Sequence, residues 1–115
     1  MDARDARVVL VTAPSSDTAL ALARALVDER LAACGNIVEK ITSIFRWQGA
    51  VQTETEALLV LKTSADRVDA LRARVVELHP YDVPEVLALA ITAGHQPYLD
   101  WLGDGLASGG KNDGT

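Results

Sequence analysis

The stretch ELHPYDVPE, Glu77 to Glu85, gathers much of what this chain has for chemistry. It holds one of two histidines, one of two tyrosines, three carboxylates and two of four prolines. His79 directly precedes Pro80, a position pushed out of the α region, so it falls just past the end of a helix. The helix dipole favours an imidazolium there, and a neutral imidazole can ligate a metal. The plainer role is a helix-stop histidine bonded to a last-turn carbonyl. Tyr81 offers an apolar ring with a polar tip. Pro80 and Pro84 fix two φ angles and so hold Tyr81 and Asp82 in place at low entropic cost. Glu85 opens the next apolar run, either as a solvated strand end or as a site carboxylate.

Three further residues join the candidates. Cys34 is the only cysteine; its thiolate suits soft ions such as copper(I) or zinc, although a free cysteine most often packs as a small hydrophobe. With no CxxC pair, one cysteine binds metal only with help from histidine, carboxylate or a neighbouring subunit. Lys62 ends the apolar run LLVLK. If shielded it needs a carboxylate, for which Glu85 is a candidate; otherwise it reaches water. Trp47 is an interface or core anchor, or one wall of a pocket. Glu54 and Glu56 stay solvated or meet a basic residue across a subunit contact. The turn TAPSSD offers amides to an anion, but Asp17 beside it opposes that use.

Catalytic signatures are missing: the chain has no GxSxG, HExxH, phosphate loop or recognised Cys-His spacing. The expectation is therefore a protein that is not an enzyme. Its 11 basic and 16 acidic residues give a net charge of -5, which disfavours nucleic acid and anionic membranes as partners. No apolar run approaches the roughly 20 residues of a membrane span. MDARDAR lacks the apolar stretch of a secretory signal, and a lone cysteine suits a reducing compartment, so a cytoplasmic location is expected.

The elements that position these residues follow from periodicity. The chain is of single-domain length, 49% hydrophobic and 23% charged, a globular composition. RVVLVTA, Arg7 to Ala13, reads as a strand buried on both faces. Pro14, Ser15 and Ser16 open a helix with Leu20, Ala23, Val27 and Leu31 on its apolar stripe, stopped near Ala33 because Gly35 follows. Asn36 to Trp47 and Ala50 to Thr63 are two long strands about a Gln48-Gly49 turn. A second helix begins at a Thr63/Asp66 capping box and carries Val68, Leu71, Val75 and Leu78 inward. Glu85 to Thr92 is a last buried strand, and Gln96 to Leu102 a short amphipathic helix.

The order β-α-β-β-α-β is the ferredoxin-like pattern of an α+β sandwich, with an extra C-terminal helix. The hairpin arms are about twice the usual strand length of five or six residues. Their outer half exposes Ile44, Phe45, Trp47 and Val51 on unpaired edges, so another subunit is expected to pair there. Residues 1–6 are expected to be a flexible N-terminus, 7–103 one domain and 104–115 a disordered tail. The RNA recognition motif shares this element order but needs aromatic and basic residues on its sheet, which the first and third strands lack. An acylphosphatase-type hydrolase needs an arginine that TAPSSD does not have.

RLAACGNI, SIFRWQG, LVLKT, HPYDVPEVLAL and YLDWL together resemble the CutA family of divalent-cation tolerance proteins, from about Val8 to Leu102. Phe45 stands where that family usually has tyrosine, Gln48 and Asp82 where glutamate is common, and Gln96 where asparagine is more typical. The resemblance implies a homotrimer joined through the long hairpins, with the architecture of P-II signalling proteins. It implies a link to copper or another divalent cation, for which Cys34 and His79 are the candidate metal ligands. It also implies a subunit-boundary pocket made of Trp47, Lys62, Tyr81 and Glu85. The alternative function is a P-II-like regulatory module that binds a small molecule or protein in the inter-subunit cleft.

Overall fold

Valine-rich and leucine-rich runs seek a sheet, and the sheet dictates this architecture. The structure, a computed structural model, describes residues 1–107. Four strands, β1 (Ala6–Ala13), β2 (Cys34–Trp47), β3 (Ala50–Ser64) and β4 (Leu87–Ala90), form one antiparallel sheet in the order β2-β3-β1-β4. The helices are α1 (Ser16–Asp28), α2 (Val68–Leu78) and α3 (Gln96–Leu106), and short 3-10 turns precede β1 and α2. This is the expected α+β, ferredoxin-like arrangement with a long hairpin and an added helix.

The core lies on one face of the sheet. Val9 and Val11 of β1 and Leu59 and Leu61 of β3 pack beneath Leu22, Ala23 and Leu26 of α1 and Leu71 and Val75 of α2. Truncating the fully buried Leu26 to alanine should cost about 3 kcal/mol. The stripe on α1 is rotated from the expected one: Leu20 and Val27 are exposed, while Ala19 and Leu22 are buried. A helix this rich in alanine and leucine has apolar residues on more than one face, so periodicity alone does not choose between them.

Alternate residues of the strands face the other way, where α3 covers only the end at Ala6 and neither α1 nor α2 packs. Val38, Leu87 and Leu89 are exposed there, on the face shared by Leu10 and Leu58 through the strand register. The last strand is thus not buried as expected. β4 is an edge strand of four exposed residues, and no helix among the described residues covers it.

Two helix ends differ from the sequence expectation. α1 stops at Asp28, because Arg30 adopts φ 59°. The amide of Arg30 then donates to Val27 O and that of Leu31 to Leu26 O, the two bonds of a Schellman cap. The Arg30 guanidinium donates to Gly105 O at 2.9 Å, which tethers the unusual residue. Gly35 therefore is not the helix stop. A Cβ there would lie 3.1 Å from Leu61 Cδ2 and 3.3 Å from Ala23 Cβ, so glycine lets β2 pass close under α1. At α2, Thr63 is buried in β3 with its hydroxyl donating to Leu31 O at 2.7 Å, and Ser64 rather than Thr63 bonds Asp66.

The N-terminal residues and α3 are more engaged than expected. The Met1 ammonium lies 2.9 Å from Asp100 Oδ1, Gln96 donates to Met1 O, and Met1, Ala3 and Ala6 pack with Leu99 and Leu102. α3 continues past Gly103 to a buried Leu106, since burying that leucine repays one more turn. The remainder of the expected tail, from residue 108, lies outside the described residues.

β2 carries the feature that shapes the hairpin. Val38 pairs with Leu58 but Ile41 with Glu56, so β2 holds one extra residue, with Lys40 at φ 55°. A bulge of this kind switches the face of every residue beyond it. Phe45 and Trp47 consequently share a face with Gln52, Glu54 and Glu56, the face away from α1 and α2. Replacing Gly35→Val should lower stability by about 1–3 kcal/mol through overpacking against Leu61 and Ala23. Urea denaturation checks this, and an unchanged midpoint would show that β2 does not pass so close.

Candidate functional site

The HPYDVPE link lies across the end of β1, and His79 fixes it there. Its ring is 7% exposed. Nε2 lies 2.7 Å from Thr12 O, and Nδ1 accepts from the Tyr81 amide at 3.0 Å. A carbonyl only accepts and an amide only donates, so the arrangement requires the neutral Nε2–H tautomer. Both nitrogens are then used by backbone. His79 ends α2 as the sequence places it, but its bond reaches Thr12 of β1 rather than a last-turn carbonyl.

That bond sets the next residue. The Tyr81 ring stands 4.7 Å from the His79 ring, and its hydroxyl donates to Glu56 Oε2 at 2.9 Å. Burial, then the Glu56 carboxylate, pushes the Tyr81 phenol up to about 12. Tyr81 thereby bridges the link to the hairpin. Between the two lies a cleft of about 950 Å³, lined by Thr12, Ser43, Phe45, Trp47, Glu54, Glu56, Tyr81, Asp82 and Glu85 among others. Three of the four pocket candidates, Trp47, Tyr81 and Glu85, meet here. Sequence reasoning missed Phe45, Glu54, Glu56 and Asp82 as pocket members. The bulge at Lys40, which brings Phe45 to this face, has no simple signature in residue types.

Lys62 does not join them. It pairs across β2–β3 with Cys34 and donates to Asn36 Oδ1. Glu85 lines the cleft at the opposite end of the sheet, so the expected Lys62–Glu85 contact is not made. Cys34 and His79 are likewise separated. Cys34 is level with Val8 through Lys62, and His79 with Thr12; four residues of strand put at least about 13 Å between them. Cys34 is half-buried, with Sγ 3.8 Å from Tyr98 Oη, and burial followed by the Cys34 bond raises the Tyr98 phenol. Tyr98 in turn stacks on Trp101 at 5.6 Å. Glu77 is held by Arg74, which also grips Glu29 through two bonds of 2.9 and 3.0 Å and so ties α2 to the end of α1. Among the described residues no group of three or more histidine, cysteine or carboxylate side chains converges to hold a metal ion. Within one chain the expected donors therefore do not fit a metal centre.

Sheet order, helix placement and a cleft beneath an over-long hairpin define a ferredoxin-like α+β protein with an accessible surface site. Comparison with known proteins makes this specific. Residues 7–105 match the family model of the CutA1 divalent ion tolerance protein. The divalent-cation tolerance protein CutA of Thermus thermophilus is 55% identical over 95 residues, 83% of this chain and 92% of that protein. Its solved structure has a TM-score of 0.82, covering 84% of this chain and 94% of that one. CutA1 from Oryza sativa, 46% identical, superposes with a TM-score of 0.86 over 88% and 93% of the two chains. The periplasmic divalent cation tolerance protein CutA of Archaeoglobus fulgidus is 32% identical, with a TM-score of 0.85 over 89% and 99%. This chain spans only about half the length of several plant and vertebrate relatives, 51% in the human protein. The chain belongs to the CutA1 divalent ion tolerance family.

Tyr81 offers a direct test of the cleft. A folded pKa of about 12 lies above the usual 10.0, so the folded state holds the phenolic proton longer than the unfolded one. The stabilisation is complete below pH 10 and lost as pH rises towards 12. In a Tyr98→Phe background Tyr81 is the sole tyrosine, and its phenolate absorbance should titrate near 12. Adding Glu56→Gln should lower the midpoint towards 10; a midpoint indifferent to Glu56 would contradict the bridge.

Proposed function

We propose that this chain works as a non-enzymatic homotrimer, assembled through its long hairpin and its open sheet face, in divalent-cation tolerance. The observation that carries this reading is uncovered apolar surface. Val38, Leu87 and Leu89 are exposed on the sheet face, and Ile44, Trp47 and Val51 on the ribbon. Single soluble chains seldom leave so many large apolar side chains open to water. Beyond Ala57, where β1 ends, β3 is paired among the described residues only to β2, so its other edge offers backbone groups to another strand. Family relatives are named for tolerance rather than for a reaction, and that supports the non-enzymatic part.

Copper is the cation we propose, with the Cys34 thiol as the chain's own ligand and the remaining donors from a neighbouring subunit. His79 has no free nitrogen for that set. A cytoplasmic location rests on the single cysteine, and cell fractionation tests it. The cleft at Trp47, Tyr81 and Glu85 favours a second reading, a P-II-like module that regulates by binding a ligand beside the subunit boundary.

Native mass spectrometry with and without copper and zinc separates these readings. The expected spectrum is a trimer that retains copper and loses it in Cys34→Ser. A monomer at every concentration would remove the assembly, and undiminished retention by Cys34→Ser would remove that ligand. A trimer retaining no metal would leave the regulatory reading.

A further inference from the structure

The link between α2 and β4 is held by side chains rather than by a backbone ladder. Residues 80–85 make no backbone–backbone hydrogen bond among the described residues. What fixes them is His79, through Thr12 O of β1 on one side and the Tyr81 amide on the other. Tyr81 then reaches Glu56 of β3. The His79–Tyr81 bond spans two residues, as an Asx turn does, with a ring nitrogen in place of the side-chain oxygen. The oxygen of an Asx turn always accepts, but a ring nitrogen stops accepting once it carries a proton.

The charges around the ring favour that proton. The carbonyl end of α2 lies directly before His79, and a cation is stabilised there. Glu56 of β3 stands one hydroxyl away, through Tyr81. Glu54 of β3 and Asp82 and Glu85 of the link line the cleft together with Thr12. α2 adds Glu77, which is paired with Arg74, and β1 adds no ionisable side chain over residues 8–13. Only the backbone opposes the proton: Nε2 already carries the hydrogen given to Thr12 O, and Nδ1 faces the N–H of Tyr81.

We propose that His79 is a proton-operated latch: a proton from solvent on Nδ1 displaces the Tyr81 amide, draws Tyr81 off Glu56 and frees the link from the hairpin. Proton uptake and the closed link exclude one another, so acid draws the chain to the open form. With the link open, the imidazole titrates in the ordinary histidine range, near about pH 6.5. The closed form is therefore fully favoured above that range and loses ground as pH falls through it. The Tyr81 phenol, pushed up to about 12, keeps its proton throughout and takes no part in the switching. Every contact of the latch lies within one chain and the ring is buried in it, so the latch does not depend on assembly. His79 also stands apart from Cys34 and its proposed metal.

The test is hydrogen exchange of the Tyr81 amide in the full chain, followed by NMR. Exchange is expressed as protection relative to an unfolded peptide, which removes the intrinsic effect of pH. Protection should fall about tenfold between about pH 7.5 and about pH 5.5, the factor by which one proton bound near 6.5 favours the open link. His79→Asn supplies an oxygen that accepts from the Tyr81 amide and takes no proton in this range, so its protection should be flat. His79→Gln, which keeps a donor for Thr12 O, should also be flat and decides the matter if His79→Asn does not fold. Glu56→Gln should leave the pH dependence in place, because the proton goes to the ring. Wild-type protection that is indifferent to pH would overturn the latch, and so would a dependence that survives in the His79 variants. Loss of the dependence in Glu56→Gln would assign the proton to that carboxylate and overturn it too. An equal fall at the amides of Leu59 and Leu61 would mark unfolding of the whole core and overturn a latch confined to the link.

Discussion

Much here follows from an inequality of strand length. β3 has 15 residues and β1 has eight, so β1 can support only the half of β3 that ends at Ser64. That half holds the core, because β1 and β3 together supply a surface wide enough for α1 and α2. The other half, with its partner in β2, leaves the body as a two-stranded ribbon. A ribbon of two strands is barely stable alone in water. It needs support from elsewhere, and among the described residues the Tyr81–Glu56 hydrogen bond is such a strut. The 49 Å long dimension of the molecule fits a ribbon that outruns its sheet.

The strut depends on a chain of small commitments. Thr12 O orients the His79 ring, the ring takes the Tyr81 amide, and the amide sets where the phenol can reach. The His79 ring is buried and both of its bonds are partly so, which makes each costly to leave unmade. The prolines on either side reduce the freedom that would otherwise be lost in holding this geometry. His79 thus acts as a structural keystone of the cleft.

A good part of this was legible in the residues. Element order came from the alternation of valine-rich runs with helical stripes, and the long arms around Gln48-Gly49 announced an unsupported ribbon. Pro80 announced the end of α2 to the residue. What was hidden depended on distance in space or on backbone angles. Arg30 in a left-handed conformation is not visible from its type, and Gly35 is the more obvious stop for α1 in the sequence. Apolar residues on β4 suggest burial, and an edge strand left open among the described residues looks the same in sequence. The separation of Cys34 from His79 and of Lys62 from Glu85 required the register, since each pair lies near the end of some strand. Tyr98 gave no hint that it would stand beside the thiol.

The bulge at Lys40 carries a consequence for how such a chain can vary. Because facing alternates strictly along a strand, the stretch between Val38 and Ile41 acts as a parity setting for the ribbon. Losing one residue there would leave the arms nearly as long but, with the base of β2 held in register, would shift the outer pairing by one, carrying Phe45 and Trp47 to the opposite surface and presenting Ile44 and Arg46 to the cleft. Changes by two would restore the facing at the expense of reach. Descendants of this sequence are therefore free to vary the composition of the strand far more than its count, and a single-residue gap at this point would be felt about 20 Å away, at the hairpin tip.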